Sequence, residues 1–193
     1  TFVLFWAALF MLLVLRASVG GRARDNFFCG LAAGCCVLLR TNMALLVPAA
    51  LAWLWLVRTP RQDVWKYAAA VKLPMLLGLA LAILPATIHN FAASRDLVLV
   101  NYTGGFTFFL GNNPEATGLE TYPFGVSSDP LLEESQSTRL AEEGAGRALK
   151  PSEASAYWFR KGLEFIAAQP FRWLGLIGGK LWLFWNWYEI SDN

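Results

Sequence analysis

The sequence predicts an all-α polytopic membrane protein with a small mixed extracytoplasmic segment. Three observations predict it: uncharged apolar runs at residues 1–15, 43–57 and 73–88, basic residues gathered in the short stretches between runs, and one long acidic stretch after them. Of 193 residues, 56% are hydrophobic and the mean hydropathy is +0.42, above the apolar share of an ordinary soluble domain. None of the runs carries the polar stripe of a soluble core helix. Hydrocarbon is the medium in which an uncharged helix, satisfying its own backbone, is at home.

The first helix is expected at residues 1–16. Thr1 already lies inside the apolar run, so the sequence reads as an internal fragment that begins part-way through a membrane helix. It has neither the basic n-region nor the cleavage site of a signal peptide. The second helix, 26–39, is almost entirely small or apolar. It holds all three cysteines, Cys29, Cys35 and Cys36, at spacings that fit neither a zinc site nor a disulfide framework, so they read as packing residues. Gly30 and Gly34, four apart, offer a close helix-packing face.

Arg16, Arg22 and Arg24 precede the second helix, and Arg58, Arg61, Lys66 and Lys72 follow the third, 43–57, with only Asp25 and Asp63 opposing them. Short basic loops stay in the cytoplasm. Residues 26–57 must then go out and return. Two arms of about fifteen residues reach only about 21 to 23 Å each, short of a roughly 30 Å hydrocarbon core. The turn Arg40-Thr41-Asn42 is therefore expected below the outer surface. Irregular polar backbone at that depth needs protein or a watery cavity around it, and an arginine there reads as functional. Snorkelling of Arg40 to the outer headgroups is the plain alternative.

The fourth helix, 73–91, has Pro74 in its first turn and Pro85 as a kink, and delivers His89 and Asn90 to the outer interface. His89 is the only histidine, which excludes a histidine cluster for metal within this sequence; a hydrogen-bonded interfacial residue is its plain reading.

Residues 92–151 hold eight acids against four bases and are expected to face outward. Residues 97–100 and 106–110 are β-prone and flank the turn-rich stretch 101–105, which predicts a small hairpin. Asn113 is placed to cap a short helix starting at Pro114. Residues 118–149 read as an outer loop with a short helix, whose Glu133-Glu134 and Glu142-Glu143 are a solvated face rather than catalytic pairs. Asn101-Tyr102-Thr103 fits the glycosylation acceptor pattern, a triplet common by chance. No phosphate loop, nucleophile elbow or nucleic-acid motif is present. Residues 152–193 supply two further helices. An amphipathic one starts at Ser152 and ends near Gln169-Pro170. A tryptophan-rich one, about 171–184, with Arg172 and Lys180, is expected to lie along the outer interface, with a true crossing as the alternative.

Several segments carry a common pattern: Gly30 to Gly34 leading to Leu38-Leu39-Arg40-Thr41-Asn42, then Pro85-Ala86-Thr87-Ile88-His89-Asn90, then Asn101 through Gly118 with Gly104-Gly105, Phe108, Gly111-Asn112-Asn113-Pro114-Glu115-Ala116 and Gly118. Tyr157-Trp158-Phe159-Arg160-Lys161 and Lys180 through Asn193, with Phe184-Trp185-Asn186 and Tyr188-Glu189-Ile190, complete it. Together they resemble one family, the bacterial relatives of protein O-mannosyltransferases and lipid A aminoarabinose transferases, which are C-type glycosyltransferases of the family 39 type. The resemblance implies sugar transfer from a polyprenyl-phosphate carrier to a protein, lipid or glycan acceptor, in the bacterial plasma membrane and on its extracytoplasmic side. It implies Arg40 as the contact to the donor phosphate, and His89, Asn90, Asn112 and Asn113 as contacts to donor or acceptor. It places the catalytic carboxylate in an outer loop upstream of these residues, so none here is expected to be catalytic. His89 stands where the family more often has arginine, which puts a phosphate contact there in doubt at neutral pH. The cofactor stays open, a divalent metal included, although no metal site is visible. Membrane lipids are the remaining expected partners and nucleic acid is not one. A transporter or flippase for a lipid-linked saccharide, without transferase activity, is the alternative.

Overall fold

The computed structural model describes residues 2–20, 22–58, 64–118, 122, 126–127 and 129–185. Residues 1–101 and 102–193 form two compact units.

The first unit contains α1 (Phe2–Gly20), α2 (Ala23–Leu39), a 3-10 helix at Thr41–Leu45 that leads directly into α3 (Leu46–Arg58), and α4 (Val64–Ser94). The stretches Phe2–Val19 and Ala69–Ser94 are each long and apolar enough to cross a membrane, and Thr41–Val57 is a shorter apolar helix. Helices occur at all four expected places; α1, α2 and α4 extend beyond their apolar runs, whereas α3 starts three residues late because Thr41–Leu45 is 3-10. Arg16 lies within α1, and Arg24 and Asp25 within the first turn of α2. The largest difference is at α4, which starts at Val64 rather than 73, so Lys66 and Lys72 stand on a helix instead of in a loop. Pro74 accordingly sits in the helix interior, not in its first turn.

Helix α2 is the centre of this unit. Its Cys29, Ala32, Ala33 and Cys36 are buried among Phe10 and Ala17 of α1, Val47, Ala50 and Leu54 of α3, and Val71 and Met75 of α4. The cysteines are unpaired, as packing residues would be. Helices α2 and α4 run parallel. Asn26 bonds to Ala70, Gly30 lies against Met75, Gly78 against Phe27 and Leu31, and Gly34 against Leu79 and Ala82. A Cβ at Gly30 or Gly78 would fall on the partner helix's backbone, so the two chains approach as closely as small residues permit. Parallel pairing agrees with the charge reading, in which both helices leave the basic side. Away from α2, α4 exposes Leu73, Leu77, Leu81, Leu84 and Ile88 as one apolar stripe. A helix apolar on its packed and open faces alike suits a lipid environment.

At the end of α4 the chain reverses through Arg95, whose φ of 52° is left-handed. Residues 98–100 then fold back on the last turns of α4. Thr87 donates to the Leu99 carbonyl at 2.7 Å, and the Asn90 amide donates to those of Val98 and Val100 at 3.2 and 3.0 Å.

The second unit contains α5 (Gly104–Gly111), α6 (Pro130–Ala145), α7 (Pro151–Ala168) and α8 (Pro170–Trp185). No strand occurs among the described residues, so the expected hairpin and the mixed character of this segment are not borne out. The β-prone residues 106–109 are helical because helical spacing brings their rings onto α7. Phe106 and Phe109 meet Trp158 at 5.3 and 4.7 Å between centroids, and Phe108 meets Phe159 at 4.5 Å. Tertiary packing here overrides strand propensity. Gly105 admits the Ser155 backbone, and its N–H donates to Ser155 Oγ. The Trp158 indole donates to the Ser137 carbonyl of α6 at 3.0 Å. The short helix expected within 118–149 is the 16-residue α6. Helix α7 starts one residue before Ser152, with Lys150 as N-cap and Pro151 in the first turn; the Glu153 carboxylate accepts the Lys150 N–H. Residues 59–63 and 186–193, which include Arg61, Asp63, Trp187 and the Tyr188-Glu189-Ile190 part of the resemblance, lie outside the described residues.

Candidate functional site

Arg40 occupies the break that the sequence predicts. Its extended backbone (φ −147°, ψ 115°) ends α2, with its N–H on the Cys36 carbonyl and its own carbonyl accepting from Met43 N–H, both at 2.9 Å. The side chain is exposed and pairs with no described residue, while Leu38, Leu39 and Leu45 around it in sequence are exposed as well. An uncompensated guanidinium amid exposed leucines can take up a phosphate or a headgroup by bidentate, charge-assisted bonds.

The arms on either side of this turn are longer than the expected fifteen residues. Helix α2 has 17 residues, about 25 Å, and the 3-10 helix with α3 adds five and 13 residues, together about 30 Å. Gly34 lies against Leu79 and Ala82, so the last turns of α2 run toward the part of α4 that carries His89. His89 is exposed and has no polar partner among the described residues. Asn90 is half-buried and its amide is spent on holding residues 98–100.

Asn112 and Asn113 are adjacent in the second unit and build a turn at the end of α5. The Asn112 amide donates to the Phe108 carbonyl, and its Oδ1 accepts the Trp173 indole N–H at 2.9 Å. Asn113 is buried; its amide donates to the Phe109 and Leu110 carbonyls, each at 3.0 Å, and its Oδ1 accepts the Glu115 N–H. Asn113 thus closes the C-terminal end of α5 with an Asx turn, and no helix starts at Pro114. The two ends of the amide serve different partners: its NH2 satisfies carbonyls that the last turn of α5 leaves free, while its Oδ1 holds the Glu115 N–H in a turn that does not continue as a helix. Both side chains are engaged within the turn.

Helix α8 adds residues that the sequence did not reveal as a group. Lys180 Nζ donates to the Gly111 carbonyl at 2.5 Å, the Arg172 guanidinium donates to the Pro114 carbonyl, and Trp173 reaches Asn112. Cations thus meet the negative end of α5. Burial pushes the Lys180 ammonium below the usual lysine range. The available signal was Lys180 itself, a charge in the middle of an aromatic helix, kept only where a partner waits for it. The opposite side of α8 exposes Phe171, Leu174, Trp182 and Trp185.

The acidic pairs of α6 do not gather into a pocket. Burial, and then the bond that Tyr102 donates to Glu134, raise the phenol's pKa; Glu142 accepts the Leu149 N–H, and Glu143 lies 3.4 Å from Arg139. Among the described residues no group of three or more metal-binding side chains forms.

Comparison with protein-family models, with curated proteins and with solved structures returned no match.

Proposed function

We propose that this chain is the donor-side scaffold of a multi-pass glycosyltransferase of the bacterial plasma membrane. It takes a sugar from a polyprenyl-phosphate carrier and passes it to an acceptor on the extracytoplasmic side, where residues 92–151 lie. The observation that carries the reading is Arg40: a cation unpaired among the described residues, at a helix break, among exposed leucines, at the end of the parallel α2–α4 pair that leads into the acidic segment. A polyprenyl phosphate keeps its tail in lipid and its charged head at the interface, so its site needs a cation at that height to hold the phosphate and to stabilise it as leaving group. The resemblance of the Arg40 break, the Pro85–Asn90 exit and the Gly111–Gly118 turn to the family 39 type supports the same reading. Asn90, Asn112 and Asn113 serve mainly to shape the surrounding backbone, which leaves His89 as the other expected contact whose side chain is exposed and not engaged by a described residue.

The test is sugar transfer from a radiolabelled polyprenyl-phosphate sugar by membranes containing the intact protein. Label passing to an acceptor is expected. Movement of the carrier across the bilayer without transfer would instead identify a lipid-linked saccharide transporter.

A further inference from the structure

The end of the first unit opposite Arg40 carries a groove that sugar transfer does not use. It has a volume of about 360 Å³ and lies between α3 and α4, lined by Pro48, Leu51, Ala52 and Trp55 of α3 and by Lys72 of α4. The four α3 residues recur at i, i+3, i+4 and i+7, one apolar stripe about 10 Å long. Lys72 is exposed, pairs with no carboxylate among the described residues, and stands three residues inside the apolar stretch that starts at Ala69. The contacts Asn26–Ala70 and Gly30–Met75 bracket it, so it lies level with the first turns of α2. That is the end at which the sequence places Arg22, Arg24, Arg58 and Lys66.

A cation at the mouth of an apolar groove, unpaired among the described residues, has the form of a lipid site: a charged head above, a hydrocarbon chain below. Free phosphate would make no use of the stripe. A helix from a second copy would bury the ammonium against apolar side chains, at a large cost. Basic pockets between transmembrane helices on the cytoplasmic side characteristically hold anionic headgroups.

We propose that this groove binds an anionic phospholipid of the inner leaflet, its phosphate on Lys72, the Trp55 indole at the boundary between head and chain, and one acyl chain along Pro48–Trp55. The inference rests on the membrane reading above and is independent of the sugar-transfer chemistry.

The test is native mass spectrometry of the chain in detergent, with palmitoyl-oleoyl phosphatidylglycerol competing against phosphatidylcholine of the same chains. Phosphatidylglycerol is expected to be retained roughly fivefold over phosphatidylcholine. Lys72→Ala should abolish the preference, while Lys72→Arg and the α7 control Lys161→Ala should keep it, all with unchanged helical circular dichroism. Equal retention of both lipids, a preference that survives Lys72→Ala, or its equal loss in Lys161→Ala would overturn the inference. If carbonate extracts the chain from membranes, the membrane reading falls along with it; a chain that stays embedded without the preference overturns the lipid site alone.

Discussion

Asn26 of α2 donates its side-chain amide to the carbonyl of Ala70, the acceptor that Pro74 leaves without a helical partner four residues on. Proline has no N–H to give, so an interior Pro74 would orphan that carbonyl in an apolar setting. Asn26 is fully buried, and its Oδ1 has no partner among the described residues. The amide group is thus retained for its donor, which fixes the register of the parallel pair.

A double-mutant cycle follows from this geometry. Asn26→Ala should destabilise the chain in detergent by about 1 to 2 kcal/mol. In the background of Pro74→Ala, where residue 74 supplies the missing N–H, the same substitution should cost much less. Denaturant titration followed by circular dichroism measures the coupling, and equal costs in the two backgrounds would refute the compensation.

The glycines of the same interface are ranked by what a Cβ would strike. At Gly30 and Gly78 it meets partner-helix backbone, which cannot give way, whereas at Gly34 the nearest atom is the Ala82 methyl. Gly30→Ala and Gly78→Ala should each cost about 3 kcal/mol or more, the upper end of overpacking, and Gly34→Ala less. Thermal unfolding in detergent checks the order.

In the second unit, Lys180→Ala removes the cation from the Gly111 carbonyl and should loosen the 111–118 turn. The expected cost is about 1 to 2 kcal/mol, seen as faster amide exchange at residues 111–116 with α7 unchanged. Lys180→Arg should restore protection in part.

The start of α7 should respond to acid. The Arg147 guanidinium, and then the Lys150 N–H, hold the Glu153 carboxyl at about 2, against an ordinary value of 4.5. Because the folded value is depressed, the contribution is complete above about pH 5 and is lost as the pH falls through 4.5 toward 2. Glu153→Gln should remove that dependence. Carboxyl chemical shifts of Glu153 in a pH titration, with exchange at Lys150, provide the measurement.

The first unit was largely legible because uncharged runs mark its helices and the basic residues orient α2 and α4 alike. Gly30 and Gly34 announced the close interface, and the break at Arg40 lies where charge and polarity interrupt the apolar pattern. The start of α4 was not legible: hydropathy ends where charges begin, but the helix does not, and Pro74 is tolerated only through Asn26, 48 positions earlier. The helix at 104–111 was hidden because Phe106 to Phe109 favour strands until Trp158 and Phe159 are brought against them. Asn113 reads as a cap for a helix beyond it, yet its NH2 closes the helix before it while its Oδ1 holds only a turn after it. The partners of Lys180 and Trp173 are some 60 to 70 residues distant, beyond the reach of any local pattern.

Binding of a polyprenyl phosphate at Arg40 is the most direct consequence of the proposed function. The intact protein, reconstituted in nanodiscs, should bind the carrier phosphate, and Arg40→Ala should weaken that binding about tenfold or more, the worth of a charge-assisted pair, with Arg40→Lys between the two and helical content unchanged. Undiminished affinity of a folded Arg40→Ala protein for the carrier would contradict it.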